Sequence, residues 1–203
     1  INTRGLYLDR EFVKRMQAMV QIRKRHLVGE AIDVSDGGLQ NATNSSALKN
    51  WLKSKDITLP IVKRLGVGGA SESESIGRNV VVELAAAVET DPAVKLVLEN
   101  RLEASKATSL AKLNKVEQLV DPRDGRLRNS LQFCAAHTGR WSSRGLQIHN
   151  LARGKKGSSD EEKARLKLAF AAALRGDLDG LLASGCRPLE VLSGSLRSMI
   201  AAA

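Results

Sequence analysis

Asp91-Pro92 is the strongest local signal in the chain. An aspartate able to cap a helix stands directly before a proline, whose fixed φ suits the first helical position. Behind it Val94, Leu98, Leu102, Leu110, Leu113 and Val116 form an apolar stripe at helical spacing. The pattern predicts one helix running to about Leu119, ~40 Å long at ~1.5 Å per residue. Such an element needs other helices to cover its stripe. Aromatic residues make up only 3% of the 203, so the core must be built of Leu, Val, Ile and Ala. Helix formers dominate and β-branched runs are few. The expected fold class is mainly α with a small β element.

A second long helix is expected from an Asp9 cap to about Val28, with Gly29 as its stop. Phe12, Val13, Met16, Met19, Val20 and Leu27 would form its apolar face, and Lys14, Arg15, Arg23, Lys24 and Arg25 its basic face. Ahead of it, INTRGLYL reads as a short extended lead-in. Residues 33–44 are turn-rich. Asn44 or Ser45 would cap a short helix through Trp51 and Leu52. Residues 65–75, LGVGGASESES, read as a flexible stretch. Ser73 or Ser75 would then cap a helix carrying Ile76, Val80, Val81, Leu84 and Val88.

Asp121 to Gly125 is a turn sequence. The strand candidate is 126–136, where Leu127, Leu131 and Phe133 alternate with Arg128, Ser130 and Gln132. Residues 153–160, RGKKGSSD, form a basic turn and cap. Helices are expected from Asp160 to Leu174, from Asp177 to Ala183, and from Pro188 to about Ile200. Asp33, Asp36, Asp121 and Asp124 fall in turns and read as caps and turn formers.

The formal net charge is +10 with a pI near 9.9. A bias of this size concerns partners rather than fold, and nucleic acid is the first candidate. An anionic membrane surface and simple solubility are the other readings. No apolar run approaches the roughly 20 residues of a spanning helix, and no signal peptide is visible. Cys134 and Cys186 are far apart, with no histidine at metal-ligand spacing, and read as two reduced thiols of a cytoplasmic protein. The start at Ile1 rather than Met, and the closing Ala201 to Ala203, look like cut ends of something longer.

The most unusual segment is HTGRWSSRGLQIHN, residues 137–150. It is too polar for a core strand and too interrupted by glycine for a good helix. Arg140 offers up to five donors in a rigid fork. Gln147 and Asn150 both donate and accept. This mix suits the minor groove, where every base pair offers purine N3 and pyrimidine O2 acceptors. The alternative is an ordinary polar loop capping the next helix. A second candidate is EASKATS, where small residues flank Lys106 and would let another surface approach closely. A solvated helix face is the alternative there.

Thr138-Gly139-Arg140-Trp141-Ser142-Ser143, followed by Gln147-Ile148-His149-Asn150-Leu151-Ala152, resembles the first conserved palm motif of family A DNA polymerases. That pattern is T-G-R-[LW]-S-S/G, a few residues, then N/Q-L-Q-N-[IL]-P. The Trp form is closest to phage and prophage members. Weaker likenesses run along the chain in the family's order. INTRGLYLD is similar to the segment that opens the thumb, and LQNATNSSALKNWL to a thumb segment. LVLENRLEASKATSLAKL is similar to the second long thumb helix, DGRLRNSLQFCAAHTGR to the strand before the motif, and LRSMIAAA to the helix leading into the first catalytic segment.

The resemblance implies a thumb over 1–120, with long antiparallel helices, and the start of a palm over 121–203. The palm part would hold the strand 126–136, a DNA-contact segment 137–153 and a helical insertion 158–200. It also implies roles. Arg140 matches the arginine that enters the minor groove at the primer terminus, and Gln147 and Asn150 match residues contacting the duplex there. Lys106 matches the thumb lysine that holds a backbone phosphate. Thr138, Ser142, His149 and Arg153 complete the implied DNA-binding set. His149 stands where the family usually has Gln, and Ala152 where it has Pro.

Family A polymerases transfer nucleotides with two metal ions held by palm carboxylates. The D-[YF]-S-x-I-E and H-D-E segments that supply them, and the lysine-bearing helix that binds the incoming nucleotide, are absent from residues 1–203. The resemblance therefore implies a parent DNA-directed DNA polymerase using two Mg2+ ions, of which this piece is inactive alone and binds no cofactor. The implied partners are primer–template DNA and the remaining palm and fingers. The implied compartment is the cytoplasm of a bacterial or phage-infected cell, with no membrane contact. Two other readings stay open: a stand-alone basic helical nucleic-acid-binding module, and a small enzyme using His137 or His149. In the native gene, the reading frame past Ala203 should run into a D-[FY]-S-x-I-E segment within a few dozen codons. A stop codon there, found by sequencing, would sink the polymerase reading.

Overall fold

The computed structural model describes residues 2–66, 69–87 and 91–201, with backbone alone over 63–66 and 69–72. In chain order, β1 (Leu6–Tyr7) leads into α1 (Arg10–Val34) and α2 (Ser45–Ser54). The hairpin strands β2 (Ile61–Gly66) and β3 (Gly69–Glu74) come next, then α3 (Arg78–Ala87) and α4 (Pro92–Ala104). Two short helices, α5 (Ala107–Leu110) and α6 (Val116–Leu119), flank a 3-10 stretch at Ala111–Lys115. Three two-residue strands follow: β4 (Arg126–Leu127), β5 (Leu131–Gln132) and β6 (Ser142–Ser143). The chain closes with α7 (Asp160–Arg175), α8 (Leu178–Ala183) and α9 (Pro188–Gly194), then a 3-10 turn at Ser195–Met199. The structure is mainly helical with small antiparallel sheets, in line with the expected class. Among the described residues no helix is long and apolar enough to cross a membrane.

The chain divides into two compact units, 24–105 and the pair of stretches 1–23 with 106–203. In the first unit the core is Ala31, Leu39, Leu48, Trp51, Leu52 and Leu59, joined by Ile76, Val81, Val94, Val97, Leu98 and Leu102. Asn44 caps α2 by accepting the N–H groups of Ser46 and Ala47. Asp91 caps α4 by accepting from Ala93 N–H at 2.8 Å, as its sequence predicts. Arg101 ties the loop before α2 to α4, donating to the carbonyls of Ala42 and Thr43 and to Ser45 Oγ. Among the described residues, 65–66 and 69–74 are not a loose stretch. They lie on β2 and β3, whose register pairs Ile61 with Glu74 and Gly66 with Gly69. Val67 and Gly68, and Val88, which was expected in the following helix, lie outside the described residues.

Gly29 does not stop α1, which runs on to Val34. A glycine inside a helix costs ~1 kcal/mol, but Leu27 and Ala31 on either side of it are buried and hold the helical register. The stop comes six residues later. Ser35 Oγ donates to Ala31 O at 2.6 Å and accepts from Leu39 N–H at 2.8 Å. Asp36 and Gly37 then turn left-handed.

The second long helix also differs from its expectation. Helix α4 ends at Ala104, and Ser105 Oγ bonds back to Leu102 O at 2.7 Å, a side-chain competitor for the helical ladder. Beyond it the path tightens into α5, the 3-10 stretch and α6. The reason lies in the stripe. Leu110, Leu113 and Val116 are all buried and spaced by three, which a 3-10 turn brings onto one face. The 40 Å rod is therefore a 13-residue helix followed by shorter pieces.

In the second unit, β1 pairs antiparallel with β4, Leu6 with Leu127 and Tyr7 with Arg126. The strand expected over 126–136 is broken into β4 and β5 at Asn129 and ends before Cys134, and both of these residues adopt positive φ. Leu127 points inward, but Phe133 is 72% exposed, so the inferred alternation ends early. Asn2 compensates at the break, donating to Leu131 O at 2.7 Å and accepting from Leu131 N–H at 3.1 Å. Helices α7 and α8 lie where their caps predict them, with Ser159 and Asp177 accepting first-turn N–H groups. The helix expected to about Ile200 ends as α-helix at Gly194 and continues as a 3-10 turn.

The path through Gly29 is directly testable. A Cβ at Gly29 would meet nothing within 4 Å. Gly29→Ala should raise stability by ~0.5–1 kcal/mol in urea denaturation. A left-handed helix stop at that position would give destabilisation instead.

Candidate nucleic-acid interface

Residues 131–153 form a hairpin and a trailing turn. Strands β5 and β6 pair Leu131 with Ser143 and Gln132 with Ser142. At the tip, Gly139 takes a φ of 70° and its N–H donates to Ala136 O at 2.8 Å. Ala136 N–H in turn donates to Arg140 O at 3.2 Å. The tip therefore presents His137, Thr138 and Arg140 to solvent, all exposed. Beyond β6 the chain is pinned from beneath. Gly145 has a φ of 68°, and a Cβ there would come 2.9 Å from Leu119, so the backbone lies directly on α6. Leu146 and Leu151 are buried. Lys112 Nζ donates to Asn150 O at 3.3 Å, and Arg197 donates to Leu151 O at 3.1 and 3.4 Å.

Between those anchors Ile148–Asn150 makes a 3-10 turn. Gln147, His149 and Asn150 are exposed on it. Asn150 Nδ2 donates to Gln147 Oε1 at 3.4 Å, and Ser143 Oγ lies 2.7 Å from His149 Nδ1. His149 is therefore held against the hairpin by a hydroxyl. Ser142 is half-buried in β6, and Arg153 is exposed. The structure thus gathers Gln147, His149 and Asn150 in one turn, and sets Thr138 and Arg140 on the tip of the adjoining hairpin. Lys106 is not part of this group. It is half-buried, with Nζ 3.9 Å from Glu190 Oε1 of α9.

An aromatic pair was missed by the sequence reading. Phe133 and Trp141 meet edge to face, with ring centroids 5.1 Å apart. Both are largely exposed, at 72% and 55%. The eight-residue separation hides the pair until the hairpin closes. Arg144 is also exposed here, and neither it nor Arg140 makes an ion pair among the described residues.

The turn that launches β4 is an ionic network. Asp121 accepts from Arg123 Nε at 3.1 Å and Nη2 at 2.9 Å, and from Arg128 Nη1 at 3.1 Å. Asp124 accepts from both Nη atoms of Arg128 and lies 3.8 Å from Arg126 Nε. The Arg123 hydrogen bonds hold the Asp121 carboxyl down to about 2, with Arg128 adding to the pull. Asp124 is lowered chiefly by Arg128. These carboxylates are consumed by arginines and do not fit a two-metal site. Among the described residues no group of three His, Cys, Asp or Glu side chains could hold a metal ion. Cys134 and Cys186 are free thiols.

No family model matches the chain. A DNA polymerase of Bacillus phage SP02 is 32% identical to it over 168 residues, which is 82% of this chain. The match relates this chain to a DNA polymerase. The matched residues span 23% of the phage protein's length, so the phage enzyme is several times longer than the shared segment.

The Asp121 network carries a pH consequence. A carboxylate whose folded value is depressed stabilises the fold above its unfolded value, near 3.9 for Asp, and loses that contribution as pH falls through the folded value. Thermal stability should therefore drop between about pH 4 and about pH 2. Asp121→Asn should flatten the drop in circular-dichroism melts. An unchanged profile would mean that the network carries no net stabilisation.

Proposed function

We infer that the chain is the thumb and early-palm piece of a family A DNA polymerase, and that it grips primer–template duplex without performing the transfer chemistry itself. The observation that carries this reading is the exposed set on residues 137–153. Its backbone bonds inward to Lys112, Arg197 and Ser130, which leaves its side-chain donors facing solvent. The relationship to a phage DNA polymerase over most of the chain supports it.

In this reading Arg140 reaches acceptors in the minor groove, while Gln147 and Asn150 contact the same duplex. Thr138, Ser142, His149 and Arg153 line the approach. Such contacts check pairing geometry without reading sequence, because purine N3 and pyrimidine O2 recur in every base pair. Lys106 holds a phosphate on the thumb side once it leaves Glu190. Residues 1–120 form the thumb and 121–203 the beginning of the palm, with 158–200 as a helical insertion. The remaining palm and fingers supply the carboxylates for two Mg2+ ions, and no step of that chemistry runs through the residues described above.

The full 203-residue chain should bind primer–template duplexes of unrelated sequence with similar affinity in fluorescence anisotropy. That affinity should fall steeply with salt, as phosphate contacts release counterions. Arg140→Ala should weaken every duplex by about tenfold. Strong preference for one sequence would point instead to a stand-alone binding module. Unchanged affinity at low salt would remove Arg140 from the interface.

A further inference from the structure

A cleft of about 680 Å³ opens between the loop 154–157, α7 and the start of α9. Its volume is within the range of small-ligand sites. Leu166, Phe170 and Val191 give it an apolar floor. Phe170 and Leu166 are half-buried, with part of each side chain left open, while Val191 is buried. Around this floor stand Lys156, Arg165, Lys167 and Arg187, none of which makes an ion pair among the described residues.

The two carboxylates in the lining are already engaged. Glu162 accepts from Ser158 N–H and Ser158 Oγ, each at 2.8 Å, and from Lys155 Nζ at 3.0 Å. These bonds, the backbone N–H foremost, hold its carboxyl down to about 2. Glu190 faces Lys106, and the lysines and arginines of the lining outnumber its two carboxylates with or without that contact. A surplus of positive charge is therefore left over a hydrophobic and aromatic surface.

The wall is built rather than draped. A Cβ on Gly194 would come 2.7 Å from Gly154 Cα, and one on Gly157 would come 2.7 Å from Lys163 N. The loop thus lies on the end of α9 at one point and on the first turn of α7 at the other. Ser159 accepts from Glu162 N–H while the Glu162 carboxylate accepts from Ser158, and the two bonds together fix the loop's exit. The first turn of α7 carries Asp160, Glu161 and Glu162, so an anion here would be held by the side-chain cations and not by the helix end.

We propose that this cleft binds a nucleotide, with the phosphates on Arg165, Lys167 and Arg187 and the base against Phe170 and Leu166. Guanidinium forks suit phosphate oxygens. A base has an apolar face for the ring, and base–aromatic contacts tolerate any base. A purely inorganic anion would leave the floor uncovered, and an uncharged apolar ligand would leave the cations unpaired. The chemistry is shared by a free nucleotide and by one unit of a single strand. The site uses no residue of the 137–153 interface, so either reading can fail without the other.

Calorimetric titration of the full chain with dATP, inorganic triphosphate, deoxyadenosine and a 5′-phosphorylated thymidine octamer tests the proposal. Saturable dATP binding is expected, tighter than inorganic triphosphate, with no heat from deoxyadenosine. Arg187→Gln should weaken dATP and triphosphate alike by about tenfold. Phe170→Leu should weaken dATP by about tenfold and leave triphosphate unchanged. An octamer that binds more tightly than dATP and competes with it assigns the site to a strand, and the reverse order assigns it to free nucleotide. Arg140→Ala should leave dATP binding unaltered. Should Arg187→Gln fail to fold, Lys167→Gln at an exposed position of α7 reads the same contact. Equal binding of triphosphate and dATP with no effect of Phe170→Leu overturns the proposal, as does absence of saturable dATP binding.

Discussion

One short extended segment, Tyr7-Leu8-Asp9, holds the second unit together. That unit is made of two stretches of chain separated by the whole of 24–105. Leu8 N–H donates to Gly125 O at 3.0 Å, while Asp9 N–H donates to Met199 O at 2.8 Å. Ala201 N–H closes the far side on Tyr7 O at 3.2 Å. Leu8 itself is fully buried. Two remote parts of the chain thus meet on these three residues. Closing such long loops costs entropy that grows only slowly with length, so a buried leucine and a few backbone bonds suffice to define the junction. From this point α1 departs under the Asp9 cap, β4 departs toward the hairpin, and the last 3-10 turn ends.

The hairpin inherits its order from that junction through a chain of backbone accounting. Buried peptide groups must find partners. Here they find Asn2, Ser130, Lys112 and Arg197 on the inner side. The side chains of Thr138, Arg140, Gln147, His149, Asn150 and Arg153 are left exposed. An interface whose backbone is already held loses less freedom on binding than a free loop would. The buried pair Leu146 and Leu151 fixes where the turn carrying Gln147, His149 and Asn150 sits.

Sequence reading reached the local features best. Asp9, Asn44 and Asp91 cap helices as their neighbours predict, because a cap needs only the next three residues. The class of fold and the donor-rich segment were legible for the same reason. What escaped depends on partners distant in the chain. Gly29 looks like a stop until Leu27 and Ala31 are seen to be buried. The strand over 126–136 looks continuous until Asn2 replaces its partner at Leu131. The spacing by three at Leu110, Leu113 and Val116 was present in the sequence and was absorbed into a looser α-helical stripe. Phe133 and Trp141 become neighbours only through the β5–β6 register.

The positive charge of the chain also divides into exposed, unpaired cations and cations held by carboxylates, which a net figure of +10 conceals. Arg123, Arg126 and Arg128 are spent on Asp121 and Asp124 and shape a turn. Arg140, Arg144 and Arg153 make no such pairs among the described residues and stand exposed on the 137–153 segment. Lys106 falls between these cases. Its contact with Glu190 is long, at 3.9 Å, and both side chains are partly exposed. A pair of that kind contributes at most about 1 kcal/mol. A phosphate, with stronger charge-assisted bonds, competes with it easily. The long contact therefore holds Lys106 only weakly in place, and a stronger anion displaces it.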